Sequence, residues 1–268
     1  MAILVGAALA VSGAVLQGLF RNPLADPALV GVSSGAALGA ISAIVLGASL
    51  PASMATIAGP HLVPLAAFAI STRAGQTSVA TMLLGGIAIG AMAAAGSGLL
   101  IYMADDQQLR DLNFWQLGSL AGSTWARVSV AAPIILIALT ASPFLARGLN
   151  ALALGEAPAA HLGIPVQRLK TLAVLVVAAA TGAAVAVSGG IGFVGIVVPH
   201  LLRLGSGPDH TTLLPNAALL GASLLLAADI AGRIVIAPAE LPIGIVTAIM
   251  GAPVFLWILM QRRGELAL

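Results

Sequence analysis

Few side chains in this 268-residue chain can do chemistry, and their spacing narrows what that chemistry could be. There is no cysteine, which removes disulfides, thiolate nucleophiles and Cys-ligated zinc or iron–sulfur sites. The four histidines, His61, His161, His200 and His210, share no metal-site spacing, so no metal centre is expected. Gly190-Ile191-Gly192-Phe193-Val194-Gly195 matches a dinucleotide fingerprint, and Asp209 lies downstream of it. That fingerprint works at a strand–turn–helix junction, whereas these glycines separate two apolar runs, where they are expected to mark a broken helix lining a cavity or a close helix contact. The only lysine, Lys170, follows Gln167-Arg168-Leu169 rather than a glycine-rich turn. A Walker A loop is therefore absent, and the chain is not expected to hydrolyse ATP itself. No nucleophile and base pair up within an apolar run, so no catalytic residue is expected.

What remains are charges and polar groups near apolar runs. Asp229 and Arg233 stand four residues apart, a spacing that lets one helix face pair them, and a charge pair close to a membrane is costly enough to suggest function. Gln17 and His61 are candidate translocation-pathway residues, His61 being the only histidine inside a span on the entry side. A proton- or sodium-coupled secondary transporter would place acids or histidines at mid-membrane. Here the acids fall in connections or near helix ends, so that reading stays remote.

The elements that must position these groups are membrane helices. Hydrophobic residues make up 60% of the chain and charged ones 7%, against roughly 25% charged in a soluble domain. Breaks at charges, Pro and Gly divide the sequence into nine apolar segments, at 1–19, 28–50, 54–70, 78–104, 126–146, 169–188, 190–204, 213–236 and 243–260. The fold class is all-α, a polytopic transmembrane helix bundle forming one domain over 1–268. The seventh segment is short for a span and is expected to be tilted or broken. Gly31, Gly35 and Gly39, and likewise Gly86 and Gly90, recur every fourth residue, as close helix packing in lipid requires.

Placing the 21–27 connection in the cytoplasm puts Arg21, Arg73, Arg147, Arg168, Lys170, Arg203, Arg262 and Arg263 inside, and Arg110, Arg127 and Arg233 outside. Asp105, Asp106, Asp111, Asp229 and Glu240 then all lie outside. The C-terminus is cytoplasmic, and the chain begins outside in an apolar run. Because no basic stretch precedes that run, it is not read as a cleaved signal peptide, and a preceding span is expected to be missing. No basic patch with interleaved aromatics is present, and nucleic acid is excluded as a partner. The outer connection 105–125 holds two of the three tryptophans and reads as a short interfacial helix. The longest cytoplasmic connection, 147–168, reads as one or two short helices at the membrane surface. It is either an amphipathic linker in the headgroups or a docking element for a cytoplasmic partner.

Five stretches carry a resemblance: 6–40 (GAALAVSGAVLQGLFRNPLADPALVGVSSGAALGA), the LGE and HLGIP elements within 154–165, SGGIGFVGIVVPHLLRL at 188–204, GPDH at 207–210, and AELPIGIVTAIMGAPVF at 239–255. In this order they resemble the permease subunits of bacterial ATP-binding-cassette importers for iron-siderophores, haem and cobalamin. The resemblance implies a multi-pass protein of the bacterial inner membrane with ten helices per subunit, working as a homodimer. Its partners would be two cytoplasmic ATPase subunits, which use ATP and Mg, and a periplasmic substrate-binding protein; this chain would bind no cofactor. Gly155, Glu156, Ala157, Leu162, Gly163, Ile164 and Pro165 would form the coupling segment set into the ATPase, and Arg233 would dock the binding protein. The family usually has a further helix and a basic stretch immediately before the position of Gly6, which agrees with the expectation of a missing preceding span. The 105–125 loop resembles that of haem-type members, so haem is the expected cargo, with ferric siderophore or cobalamin as alternatives.

Overall fold

The computed structural model describes residues 1–46, 52–73 and 76–261. Along the chain run α1 (Ala2–Phe20), a 3-10 turn (Pro27–Val30), α2 (Val32–Val45), α3 (Ala52–Ser71), a hairpin of β1 (Thr72–Arg73) and β2 (Gln76–Thr77), α4 (Val79–Met103) and α5 (Asp106–Gln116). There follow α6 (Trp125–Ala141), a second 3-10 turn (Ser142–Leu145), α7 (Ala146–Leu152), α8 (Glu156–His161), α9 (Val166–Ser188), α10 (Val194–Ser206), α11 (His210–Val235) and α12 (Ile243–Gln261). The nine apolar segments correspond to α1, α2, α3, α4, α6, α9, α10, α11 and α12. Arg262, Arg263 and the end of the second segment, 47–50, lie outside the described residues.

α1 is the axis of the bundle. It has no polar face and, apart from Ile3 near its start, is enclosed by its neighbours, with Val5, Ala8, Ala10, Ala14, Val15 and Leu16 fully shielded. It touches α6, α9, α10 and α11. Small residues set how close these neighbours come: a Cβ on Gly13 would overlap the Gly195 carbonyl, and one on Gly6 the Gly221 carbonyl. The glycines spaced by four do the same elsewhere, Gly35 lying against Gly59 of α3 and Gly86 against Leu29 and Val30.

Two connections differ from the sequence reading. The 21–27 stretch is not simply a cytoplasmic loop. Arg21 ends α1 in the left-handed conformation, after which the chain turns back into the bundle, with Ala25 and Pro27 buried. The turn feeds itself with local bonds: Leu24 N–H donates to Asn22 Oδ1, and Ala28 N–H to Asp26 Oδ1, each at 2.9 Å. α2 therefore starts deep in the bundle, and its 14 residues cover only about 21 Å at 1.5 Å per residue. The second difference is the β1–β2 hairpin, antiparallel with Thr72 opposite Thr77, which the sequence reading did not anticipate.

Elsewhere the outcome follows the expectation. Between α9 and α10 the backbone breaks at Gly189–Phe193, where Gly189 and Phe193 both adopt positive φ. The outer connection forms α5, capped reciprocally by Asp105 and Gln108. Its end is pinned by Ser119 N–H to Ser188 O at 2.8 Å and by Gly244 N–H to Leu117 O at 3.1 Å, tying it to the helix break and to the start of α12.

Candidate functional site

The 147–168 connection folds into two short helices with a corner between them. Gly155 makes the corner at φ +117°, ψ 162°, a conformation that a side chain strongly disfavours. From there α8 lies across α7 and the start of α9, with its Ala159 buried. Glu156, Ala157, Leu162, Gly163 and Pro165 are exposed, Ile164 is half-buried and Gly155 is buried. Leu154 and Leu162 are both about two-thirds exposed, so the corner carries apolar surface outward. α7 holds this element to the bundle through buried Leu149 and Leu152.

A polar clamp fixes α7 to α11. Asn150 Nδ2 donates to Asp209 Oδ1 at 2.6 Å, while Asn150 Oδ1 accepts from the His210 backbone N–H at 2.9 Å and faces His210 Nδ1 at 2.8 Å. An amide oxygen can only accept, so this geometry puts a proton on Nδ1. Asp209 also caps α11 through Thr211 N–H at 2.8 Å. The Thr211 and Asn150 bonds hold its carboxyl below the ordinary value of 3.8. The GPDH stretch thus acts as the fastening of the α7–α8 element.

The other fastening is Lys170, on the second turn of α9. Its side chain is 4% exposed, and its Nζ lies 2.7 Å from Glu156 Oε2 and 2.6 Å from the carbonyl of Thr77. One turn earlier, Gln167 Oε1 accepts from Thr77 N–H at 2.9 Å, and Gln167 Nε2 donates to Thr77 Oγ1. The candidate coupling residue Glu156 therefore has a partner within its own chain.

At the far end of α11, Arg233 is bonded to Asp229 at 3.0 Å, as the i, i+4 spacing predicts, and to Glu240 at 3.0 Å. This cluster is open, with the Arg233 side chain 43% exposed.

The two candidate pathway residues are not brought together. Gln17 is buried between α1 and α10, donating to Gly195 O at 3.0 Å and accepting from Arg203. His61 lies midway along α3 against Gly182 of α9. A cavity of about 500 Å³ lies elsewhere, between α2, α4, α5 and α9. Its lining includes Asp26, Ser34, Ser97, Trp115, Thr181 and Gly190. Asp26 reaches it because the re-entrant turn brings its carboxylate beside Leu9 and Gly195. The Thr181 hydroxyl and the Trp115 indole N–H are buried without a hydrogen-bond partner among the described residues. The glycine break at 189–193 forms one wall, as glycines at membrane depth suggest. Among the described residues no three of His, Cys, Asp or Glu cluster as a metal site would require.

Sequence reading missed Asn150, Gln167 and Thr77, which are ordinary polar residues until the fold pairs them. It also placed Asp26 in a water-facing connection. The Asp-Pro pair at 26–27 was the available signal, since Asp before Pro favours a cap and turn over a solvated coil.

Comparison with known proteins accounts for this arrangement. The FecCD transport family matches residues 1–261. The chain is 48% identical to the hemin transport system permease protein HmuU of Yersinia pestis, covering 99% of this chain and 81% of that protein. It is 43% identical to the vitamin B12 import system permease protein BtuC of Escherichia coli O9:H4, covering 97% and 80%. A metal-chelate-type ABC transporter solved in an inward-facing conformation matches with a TM-score of 0.88 at 35% identity, over 97% of this chain and 83% of that one. The match from the first residue to the end of α12, together with a helical fold shared with a solved transporter, makes this chain a membrane-spanning permease of the FecCD transport family.

Proposed function

We propose that the chain is the permease of an ATP-driven importer that carries haem across the bacterial inner membrane. It works as a homodimer with two cytoplasmic ATPase subunits, which use ATP and Mg, and with a periplasmic binding protein that delivers the cargo. The observation that carries this reading is the α7–α8 element: a rigidly fastened corner with an exposed apolar rim and an acid, shaped to sit in a partner's groove. Gly155, Glu156, Ala157 and Leu162 to Pro165 are the residues that engage the ATPase. Arg233, open at the other end, engages acids on the binding protein.

The charge distribution supports the orientation. Arg21, Arg147, Arg168, Lys170 and Arg203 gather at the α8 end, whereas Asp105, Asp106, Asp111, Asp229 and Glu240 belong to the opposite end. The α8 end is cytoplasmic, and the C-terminus with it. α4 supports a dimer or lipid face, since Leu84, Ile87, Met92 and Leu99 are all more than 60% exposed.

Identity to a hemin permease favours haem as cargo. Cobalamin is the second reading, favoured by 43% identity to a vitamin B12 permease; a ferric siderophore follows, because the inward-facing neighbour is of metal-chelate type. The test is ATP hydrolysis in proteoliposomes holding the chain with its ATPase, on adding binding protein loaded with hemin, cobalamin or ferric siderophore in turn. Stimulation by the hemin-loaded form alone is expected. Stimulation by another form alone reassigns the cargo, and failure of the chain to retain any ATPase subunit overturns the importer reading.

A further inference from the structure

A buried lysine joins three elements that the importer reading needs to move together. The Lys170 ammonium is almost fully removed from water, so it must keep the partners it has: the Glu156 carboxylate on α8 and the Thr77 carbonyl on β2. Gln167, three residues away on the same helix face, grips Thr77 at both its backbone N–H and its hydroxyl. Thr77 is in turn joined to Thr72 by a hydroxyl–hydroxyl bond of 2.7 Å, which closes the hairpin between α3 and α4. If α8 shifted while the hairpin stayed, the Lys170 ammonium could follow Glu156 only by leaving the Thr77 carbonyl, and could keep Thr77 only by losing its counter-charge. Moving both elements together avoids that cost.

Resting on the importer reading, we propose that Lys170 is a positioning residue that transmits displacement of α8 to the β1–β2 hairpin and so to α4. The path continues to the wall of the cavity by direct structure. α4 follows the hairpin after a single residue, Ser78, and supplies Ala94, Ser97, Gly98 and Ile101 to the wall of the 500 Å³ cavity. Beside the relay, a groove of about 1230 Å³ bounded by Arg21, Ser71, Ser78, Glu156 and Lys170 leaves the hairpin room to swing. Glu156 is thereby an internal handle on the moving element, besides any contact it makes with the ATPase.

The absence of cysteine gives a clean readout. A single Gln76→Cys, exposed on the hairpin, is labelled with a membrane-impermeant maleimide in the complex with its ATPase, with and without ATP and vanadate. In the Lys170 background the labelling rate is expected to change about tenfold, within the range typical of coupled sites. With Lys170→Met, which keeps the buried stem, ATP hydrolysis continues while that change disappears. Lys170→Arg, which keeps a cation able to donate both to the Glu156 carboxylate and to the Thr77 carbonyl, restores part of it, which a merely structural loss would not permit. Should Lys170→Met fail to insert, Gln167→Leu severs the side-chain bonds to Thr77, leaves the ion pair intact and is expected to diminish the change. An ATP-dependent change that survives in Lys170→Met overturns the relay and leaves the importer reading standing, as does its absence in the Lys170 background while the ATPase is bound and active. A chain that retains no ATPase overturns both.

Discussion

The two ends of the bundle use the same chemistry, a basic side chain holding carboxylates, in opposite surroundings. Arg233 is 43% exposed and divides itself between Asp229 and Glu240. Lys170 is 4% exposed and holds Glu156 and a backbone carbonyl. Water beside Arg233 compensates each charge whenever a bond opens, so the cluster contributes little to stability and can exchange one acid for another on an arriving protein. No such compensation exists at Lys170, whose partners must travel with it. Burial, not residue type, separates the charge proposed to dock from the one proposed to transmit.

Reversing an acid at each end sharpens the contrast most. Glu156→Arg sets a second cation against the buried ammonium. It is expected to abolish hemin uptake with membrane insertion intact, and to destabilise the α8 fastening by about 2 kcal/mol, discounted because Glu156 is half-exposed. Asp229→Arg, an equal change of charge at the open end, leaves the melting temperature nearly unchanged. Uptake and thermal melting of both variants in one detergent decide the matter, and equal losses of stability would break the comparison.

Gly155→Val comes next. Its φ of +117° would cost a branched residue about 1–3 kcal/mol, felt in the corner alone. Co-purification of the ATPase is expected to fall while the bundle melts normally. Arg233→Ala should change stability by about 0.5 kcal/mol or less. Binding-protein affinity drops about tenfold at low salt and the difference shrinks as ionic strength rises, a pattern read by titration at two salt concentrations.

The smallest effect belongs to Asp209. Its folded-state carboxyl sits below the ordinary 3.8, so its contribution is complete above that value and is lost as pH falls through the lower, folded value. Asp209→Asn should therefore flatten the acid limb of the melting profile below about pH 4 and lower the melting temperature by a small amount that does not vary between about pH 6 and 8. A difference between the two proteins that varies with pH in the neutral range would show that the α7–α11 clamp depends on another group.

Much of this was legible in the sequence, for identifiable reasons. Length and hydropathy located nine apolar helices among the described residues because a membrane helix must be apolar over its whole length. The Asp229–Arg233 pair, the α9–α10 break and the α5 cap follow from spacing along one segment. Composition could not tell α1 from α4. Both are apolar, at mean hydropathy 2.0 and 1.8, yet 78% of one window is buried and 22% of the other. Burial depends on neighbours, and neighbours are set by close approaches such as Gly13 to Gly195, far apart in sequence. The same holds for the relay: 93 residues separate Lys170 from Thr77, and no local pattern announces the bond. Asp26 was misplaced for a related reason, because a turn that satisfies its own backbone groups can enter the bundle while reading as a polar connection.

Hemin accumulation inside sealed proteoliposomes tests the central claim most directly, with the chain, its ATPase and its binding protein present and either ATP or a proton gradient supplied as the driving force. The account predicts accumulation only when ATP is hydrolysed and the binding protein is present. Accumulation driven by the proton gradient without ATP would contradict it and would point to Asp26 in the cavity wall as the coupling group.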